Sequence, residues 1–282
     1  MPSKTTSAEM AELMVGEKVK ATVKKKSLSE NKILQIKNLN LQSKTSFGTS
    51  LKNIRFEVSQ GEILGIGGVA GSGQDELLLA LTGETKVQTN TVFYKNKDIG
   101  HLNPQERREL GLLTAPEERL GHAAAPEMSL VENCLITAKK NKNLVERGWV
   151  KLDKATKFAN DIIKRFDVRT DNSSSLAKTL SGGNLQKFLI GRELSQEPDV
   201  IIVNQPTWGV DASAAQFIRQ ALLDLVSRGT AAIIISQDLD ELIEISDRFT
   251  ALVNGAISKP KITNKLTVAE IGLMLSTQHT NR

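Results

Sequence analysis

Three stretches of the chain hold residue types at spacings that could handle phosphate. In GIGGVAGSGQDELLLALTG, residues 65–83, Gly68, Gly71 and Gly73 separate an apolar run from a run of helical spacing. Glycines there permit a tight loop with inward-pointing backbone N–H groups, and the following helix start adds partial positive charge, which together make an anion cradle. The glycine spacing, with Ser72 inside it, is that of G-x-x-x-x-G-K-[ST], but Gln74 stands in the lysine position and Asp75 in the hydroxyl position. In LSGGNLQK, residues 180–187, Ser181 can cap a helix while Gly182, Gly183 and Asn184 expose N–H groups at its start, a second anion site more than 100 residues from the first. In DVIIVNQPTWGVDAS, residues 199–213, an apolar run ends in Asn204 and Gln205, and Asp211 follows a short loop. Phosphate-handling folds end such a strand in carboxylates, one near Mg²⁺ and one on a water; here both positions carry amides.

Each stretch alone has a plainer reading. A glycine-rich turn can serve tight packing, and SGG can be an ordinary capped helix. Their conjunction, with an apolar strand 20 residues beyond the second, selects the phosphate reading.

The elements that must position these residues are legible in the hydrophobic pattern. ILQIKNLNL from Ile33 and LKNIRFEVS from Leu51 alternate as half-buried strands, and EILGIGG is a continuous apolar strand running into the first glycine turn. QDELLLALTG has helical spacing and stops at Gly83. Residues 115–195 read as mainly helical, DKATKFANDIIKRFDV being the clearest amphipathic segment. DVIIVN and TAAIIIS then flank the helix-like AAQFIRQALLDLVSRG, an alternation that implies a parallel α/β sheet. Asn254-Gly255 marks a hairpin turn.

The 282 residues suffice for a sizeable core, and 39% hydrophobic with 24% charged residues is ordinary for a globular protein. No apolar run is long enough to span a membrane, and no secretory leader is recognisable. A single cysteine, Cys134, excludes an internal disulfide and reads as a helix-packing residue. The net charge of +5 invites a nucleic-acid reading, but the tight run Lys24–Lys26 sits in a linker-like stretch, and aromatics at 4% leave few stacking platforms. No nucleic-acid partner is expected. His101, His122 and His279 form no ligand pattern and read as solvated, and Trp208 reads as a packing or interface residue.

At this point the sequence resembles the ATP-binding cassette family, and within it the second, C-terminal cassette of the tandem ATPases that drive simple-sugar and nucleoside importers. GVAGSGQDEL is similar to a modified Walker A, LSGGN to the signature, IIVNQPTWGVD to Walker B and the D-loop, and IIISQDLDEL to the switch region. TAPEERLGHAAAPEMSLVEN is similar to the segment that replaces the Q-loop and contacts the membrane subunit. TSAEMAELMV from Thr6 also echoes TVAEIGLML from Thr267, as though residues 1–32 were the tail of a preceding cassette and a linker, with the cassette proper over 33–282. The resemblance implies an α/β P-loop NTPase with a mixed or parallel core sheet, an antiparallel β subdomain and a helical signature subdomain. It further implies ATP and Mg²⁺ as cofactors, a partner cassette from the same polypeptide or a homologous subunit, membrane permease subunits, and a peripheral place on the cytoplasmic face of the membrane. Phe47 is then a candidate for stacking on adenine, and an apolar loop residue otherwise.

The pattern departs from the family at six positions. Gln74 replaces the phosphate-binding lysine, Asp75 the Mg²⁺-binding hydroxyl (leaving Asp75 itself as a metal ligand), Asn204 the metal-organising aspartate and Gln205 the general base. Gln237 replaces the switch histidine, and Glu117 stands near the Q-loop glutamine. Two unit charges about 4 Å apart interact by roughly 4 kcal/mol at an effective dielectric near 20. Deleting the lysine and adding a carboxylate therefore lowers triphosphate affinity by orders of magnitude unless Mg²⁺ bridges Asp75, and losing a positioned base lowers the rate by a further ~10²–10⁴. The expectation is a transport ATPase domain whose own site is degenerate, whose isolated chain scarcely hydrolyses ATP, and whose signature, with Asp211 at the interface, serves the partner's nucleotide. The rival expectation is a non-catalytic nucleotide-binding or dimerisation module. The solute is not legible, because selectivity lies in permease and receptor proteins.

Overall fold

The computed structural model describes residues 31–43, 46 and 48–276; the N-terminal repeat, the Lys24–Lys26 run, Phe47 and His279 lie outside the described residues. In chain order the elements are β1 (Lys32–Leu41), β2 (Leu51–Ser59), β3 (Ile63–Gly67), α1 (Gln74–Thr82), β4 (Val92–Tyr94), β5 (Lys97–Asp98), α2 (Pro104–Glu109) and β6 (Leu112–Ala115). There follow α3 (Leu130–Ala138), β7 (Val145–Glu146), β8 (Trp149–Val150), α4 (Leu152–Arg165), α5 (Gly182–Leu194), β9 (Val200–Asn204) and α6 (Ala212–Ser227). The chain continues through β10 (Ala231–Ser236), α7 (Leu239–Ile245), β11 (Arg248–Val253), β12 (Ala256–Ile257), β13 (Lys261–Ile262) and α8 (Val268–Ser276).

Two sheets carry the fold. One is antiparallel, in the order β2-β1-β4-β5; the other runs β12-β11-β3-β10-β9-β6, with β13 also on β11. In the second sheet β11, β3, β10, β9 and β6 are mutually parallel, while β12 and β13 pair antiparallel with β11. Successive residues of its central strands feed opposite layers. Ile201, Val203, Ala232 and Ile234 pack with the helices α3–α6, whereas Ile202, Ile233 and Ile235 pack against α1 and the antiparallel sheet. A sheet covered on both faces needs apolar residues at every position, which is why these strands read as unbroken apolar runs.

Strand ends place the chemistry. β3, β9 and β10 run parallel and in register, with Gly67 opposite Ser236 and Asn204 opposite Ile235, so the first glycine loop, the amide pair and the switch segment all leave the same edge of the sheet. Asn254 and Gly255 form the turn of the β11–β12 hairpin, both at positive φ. The segment 115–195 holds α3, α4 and α5 and also the short ribbon β7–β8, which sequence periodicity did not indicate. Among the described residues no helix is long and apolar enough to cross a membrane.

Candidate functional site

The loop between β3 and α1 is held by its neighbours. Gly71 and Gly73 adopt φ values of +78° and +109°, which side chains rarely tolerate. A Cβ on Gly68 would lie 2.5 Å from the Leu252 carbonyl oxygen and 2.9 Å from Gln74 Nε2. Ser72 N–H donates to the Val69 carbonyl, Thr49 Oγ1 donates to the Gly71 carbonyl, and Gly255 N–H donates to the Ser72 carbonyl. α1 starts at Gly73 without a side-chain cap, so no side chain competes for its first amides. This is the geometry of an anion cradle. The side chain in the lysine position is tied to the loop itself: Gln74 is almost fully buried and its Nε2 donates to the Val69 carbonyl at 2.8 Å.

Asp75 and Glu117 face one cleft of about 780 Å³, whose lining also includes Arg119, His122, Gly182, Asn204 and Trp208. Burial raises the Asp75 carboxyl, the neighbouring Glu76 raises it further, and His122 opposes the shift. Burial also raises Glu117, as does the charge of Asp75, while Arg119 opposes it. The Asp75 charge thus disfavours ionisation of Glu117, with Arg119 and His122 as the opposing groups in the same cleft. Two carboxylates with the Asn204 amide make a hard-oxygen donor set that suits Mg²⁺. Among the described residues no three acidic, histidine or cysteine side chains gather in metal-holding geometry, so these groups fit Mg²⁺ carried in with phosphate oxygens and water rather than a resident ion.

The amide pair ends β9. Gln205 has φ +51° and is buried, and its Oε1 accepts from Ser236 Oγ at 3.2 Å and from the Gln237 N–H at 3.4 Å. Its side chain is therefore tied to the end of β10 and does not line the cleft. Gln237 is exposed and contributes its backbone to that contact. Glu241 lies behind it, 2% exposed, with Oε2 3.2 Å from Ser236 Oγ. Burial raises its carboxyl, against hydrogen bonds from Thr207 and Ser236. Ser236 has one hydroxyl proton for two acceptors, so protonated Glu241 can donate to Ser236 while Ser236 donates to Gln205.

The second glycine stretch, LSGGN, opens α5. Ser181 caps α5, accepting from Asn184 N–H at 3.5 Å and Asn184 Nδ2 at 2.9 Å, and Asn184 Oδ1 accepts from Arg169 N–H. Gly182 is exposed, and Gly183 has room for a Cβ before Val210. Asp211 accepts from Ala214 N–H at 2.8 Å and so caps α6.

Arg119 and Gln186 escaped the sequence reading. Arg119 bridges three elements: its Nε donates to Gln186 Oε1 on α5 at 3.0 Å, its guanidinium meets the Trp208 carbonyl, and a Cβ on Gly182 would lie 2.7 Å from its Nη1. Gln186 in turn donates to the Pro206 carbonyl at 2.9 Å. Contacts between residues 67 apart leave no trace in local periodicity. His122 is exposed, as read from the sequence, and its Nε2 also lies 2.9 Å from a Glu84 carboxylate oxygen. Trp208 lines the cleft and is 63% exposed, so it is not a core-packing residue. Cys134 is buried on α3, and burial pushes its thiol up to about 12, in keeping with packing.

With this geometry in view, comparison with known proteins is specific. A model of the ABC transporter family matches residues 51–208. The nucleoside import ATP-binding protein NupA of Lactococcus lactis subsp. cremoris is 35% identical, with 96% of this chain and 53% of that protein covered. The guanosine import ATP-binding protein NupO of Bacillus subtilis is 32% identical over 96% of this chain and 53% of its own length. The ribose import ATP-binding protein RbsA of Clostridium tetani is 33% identical, with 90% and 49% covered. The chain thus spans about half the length of the curated relatives it matches. In fold it is similar to a dimeric ATP-binding cassette in a post-hydrolysis state bound to ADP and Pi, with TM-score 0.69, 21% identity, 83% of this chain and 100% of that one covered. A nucleotide-free ATP-binding cassette from an ABC transporter gives TM-score 0.66 at 25% identity, covering 87% of this chain and 96% of that one.

Proposed function

The chain belongs to the ABC transporter family of ATP-binding cassettes, and from that premise we propose that it energises import of a nucleoside or simple sugar through a donated signature rather than through its own P-loop. The observation that carries this is the Gln74 side chain, a neutral amide spent on the Val69 carbonyl in the lysine position, while Asp75 and Glu117 line the adjoining cleft. The loop backbone and the uncapped start of α1 remain suited to phosphate, so the chain binds nucleotide weakly. When bound, Mg²⁺ would supply charge neutralisation next to Asp75 and Glu117. Gln205, held by Ser236 and Gln237, contributes no base. The start of α5, capped by Ser181 and with Gly182 exposed beside the Arg119 guanidinium, is the surface offered to a phosphate held by a partner cassette, in the same polypeptide or a homologous subunit, while permease subunits carry the solute.

The test is ATP turnover by the assembled importer and by this chain alone. The chain alone is expected to be nearly silent, and Gly182→Arg, which fills the signature start, is expected to abolish turnover of the assembly. Brisk Mg²⁺-dependent turnover by the chain alone, or an assembly indifferent to Gly182→Arg, overturns the proposal.

A further inference from the structure

Between α3 and α4 the chain extends as the ribbon β7–β8, and we propose that this ribbon docks on a bilayer surface of anionic lipid. Charge distribution is the first argument. Residues 139–157 contain seven Lys or Arg and two carboxylates, a net +5 in 19 residues that equals the formal net charge of the whole chain. Lys140 pairs with Glu109, Lys151 with Glu146, and Lys139 bonds to Gln105. Arg147, Lys154 and Lys157 have no carboxylate partner among the described residues and are all exposed. An excess of cations gathered in one exposed place attracts an anionic surface.

The shape of the ribbon argues for lipid over a protein. Val145 pairs with Val150 and Glu146 with Trp149, so strand alternation puts the two valines on one face and Trp149 on the other. Arg147 and Gly148, both at positive φ, make the two-residue turn at the tip. Trp149 is 75% exposed, Val150 54% and Leu152 60%. One rigid protein face covers one side of a ribbon and leaves the other apolar side wet. A bilayer interface closes around both sides, places the tryptophan ring at headgroup level and sets the flanking cations against lipid phosphates. The proposal rests on the reading above that the chain serves a membrane-bound importer, since that brings the ribbon near a bilayer.

The test uses the whole chain carrying Trp208→Phe, which leaves Trp149 as its one tryptophan. It is sedimented with vesicles of phosphatidylcholine alone or mixed with phosphatidylglycerol, and Trp149 emission is recorded. The expected result is partition into the anionic vesicles only, with a blue shift, and loss of both near 1 M salt, where the screening length falls to ~3 Å. Joint Arg147→Gln, Lys154→Gln and Lys157→Gln should lower partition by on the order of 10²-fold, from about 1 kcal/mol per surface cation. Trp149→Ala should remove the emission signal and weaken partition. Equal partition into both vesicle types, or a charge variant that partitions like its parent, overturns docking. A photo-crosslinker at position 149 that captures protein instead of lipid in the assembled importer overturns it too. Nucleotide binding measured on the same samples separates the two readings: a chain that binds nucleotide but ignores vesicles sinks only the docking.

Discussion

Gln74→Lys puts a cation where the P-loop now holds a neutral amide, and its effect can be sized from the site. An ammonium about 4 Å from a phosphate charge is worth roughly 1 kcal/mol in water and roughly 4 kcal/mol at an effective dielectric near 20. Gln74 is buried but the adjoining cleft opens to solvent, so an intermediate gain of about 2 kcal/mol is reasonable, or roughly 30-fold in affinity. The Asp75 and Glu117 charges work against this gain, so Gln74→Lys with Asp75→Thr should exceed Gln74→Lys alone. Calorimetric titration with ATP, with and without Mg²⁺ and at two salt concentrations, reads both steps. The parent should also show a pH signature. Asp75 and Glu117 both have raised carboxyls, so protonation begins above the ordinary carboxylate range. As pH falls through that range negative charge leaves the cleft and Mg²⁺-free ATP binds more tightly, and Asp75→Asn should flatten the trend. Turnover should stay negligible in every variant, because the Gln205 amide is no base. An unchanged affinity in Gln74→Lys would refute the electrostatic account, and vigorous hydrolysis by that single variant would refute the claim that the site lacks more than its cation.

Two further predictions concern the frame around the site. Glu241 has one carboxylate oxygen without a hydrogen-bond partner, and burial raises its carboxyl above the ordinary 4.5. The fold thus penalises the ionised form: no penalty exists below 4.5, and it grows as pH rises through the raised folded value. Glu241→Gln should therefore raise the melting temperature at neutral pH, with the gain closing as pH approaches 4.5; a gain that persists at pH 4, or a loss at pH 7, contradicts this. Gly255→Ala would put a Cβ 1.9 Å from the Ser50 carbonyl oxygen at φ +77°. Backbone strain of about 1–3 kcal/mol predicts a melting temperature several degrees lower. It also predicts weaker ATP binding, because Gly255 N–H braces Ser72. Gly229→Ala, at φ +107° with nothing near its Cβ, is the control for φ strain alone.

What the sequence made legible follows from how each feature is encoded. β3, β9 and β10 are buried on both faces, so their apolar runs are continuous and stand out. The Asn254-Gly255 turn and the α1 stop at Gly83 are local backbone requirements, written in the residues that meet them. The four-residue β6 and three-residue β4 are too short for any periodicity, and their places in the sheets come from neighbours distant in sequence. Which residues depart from the motif pattern was equally visible: Gln74, Asp75, Asn204 and Gln205 declare themselves against its spacing.

Where those groups point was not visible, and that difference decides the chemistry. A glutamine in the base position could in principle orient a water; Gln205 instead faces the end of β10, because its positive φ turns the chain and Ser236 and the Gln237 amide hold its oxygen. Gln74 in the lysine position could reach for phosphate, yet it closes a bond only five residues back, to Val69. Both amides satisfy the fold's own polar groups, as buried polar atoms must. A site can therefore keep its backbone cradle while its side chains become structural, since the cradle depends on glycines and strand register that the rest of the domain enforces. Around α5 the side chains also serve the fold: Asn184 bonds the Ser181 cap and Arg119 bonds Gln186, while Gly182 stays exposed and Gly183 half-buried at the helix start.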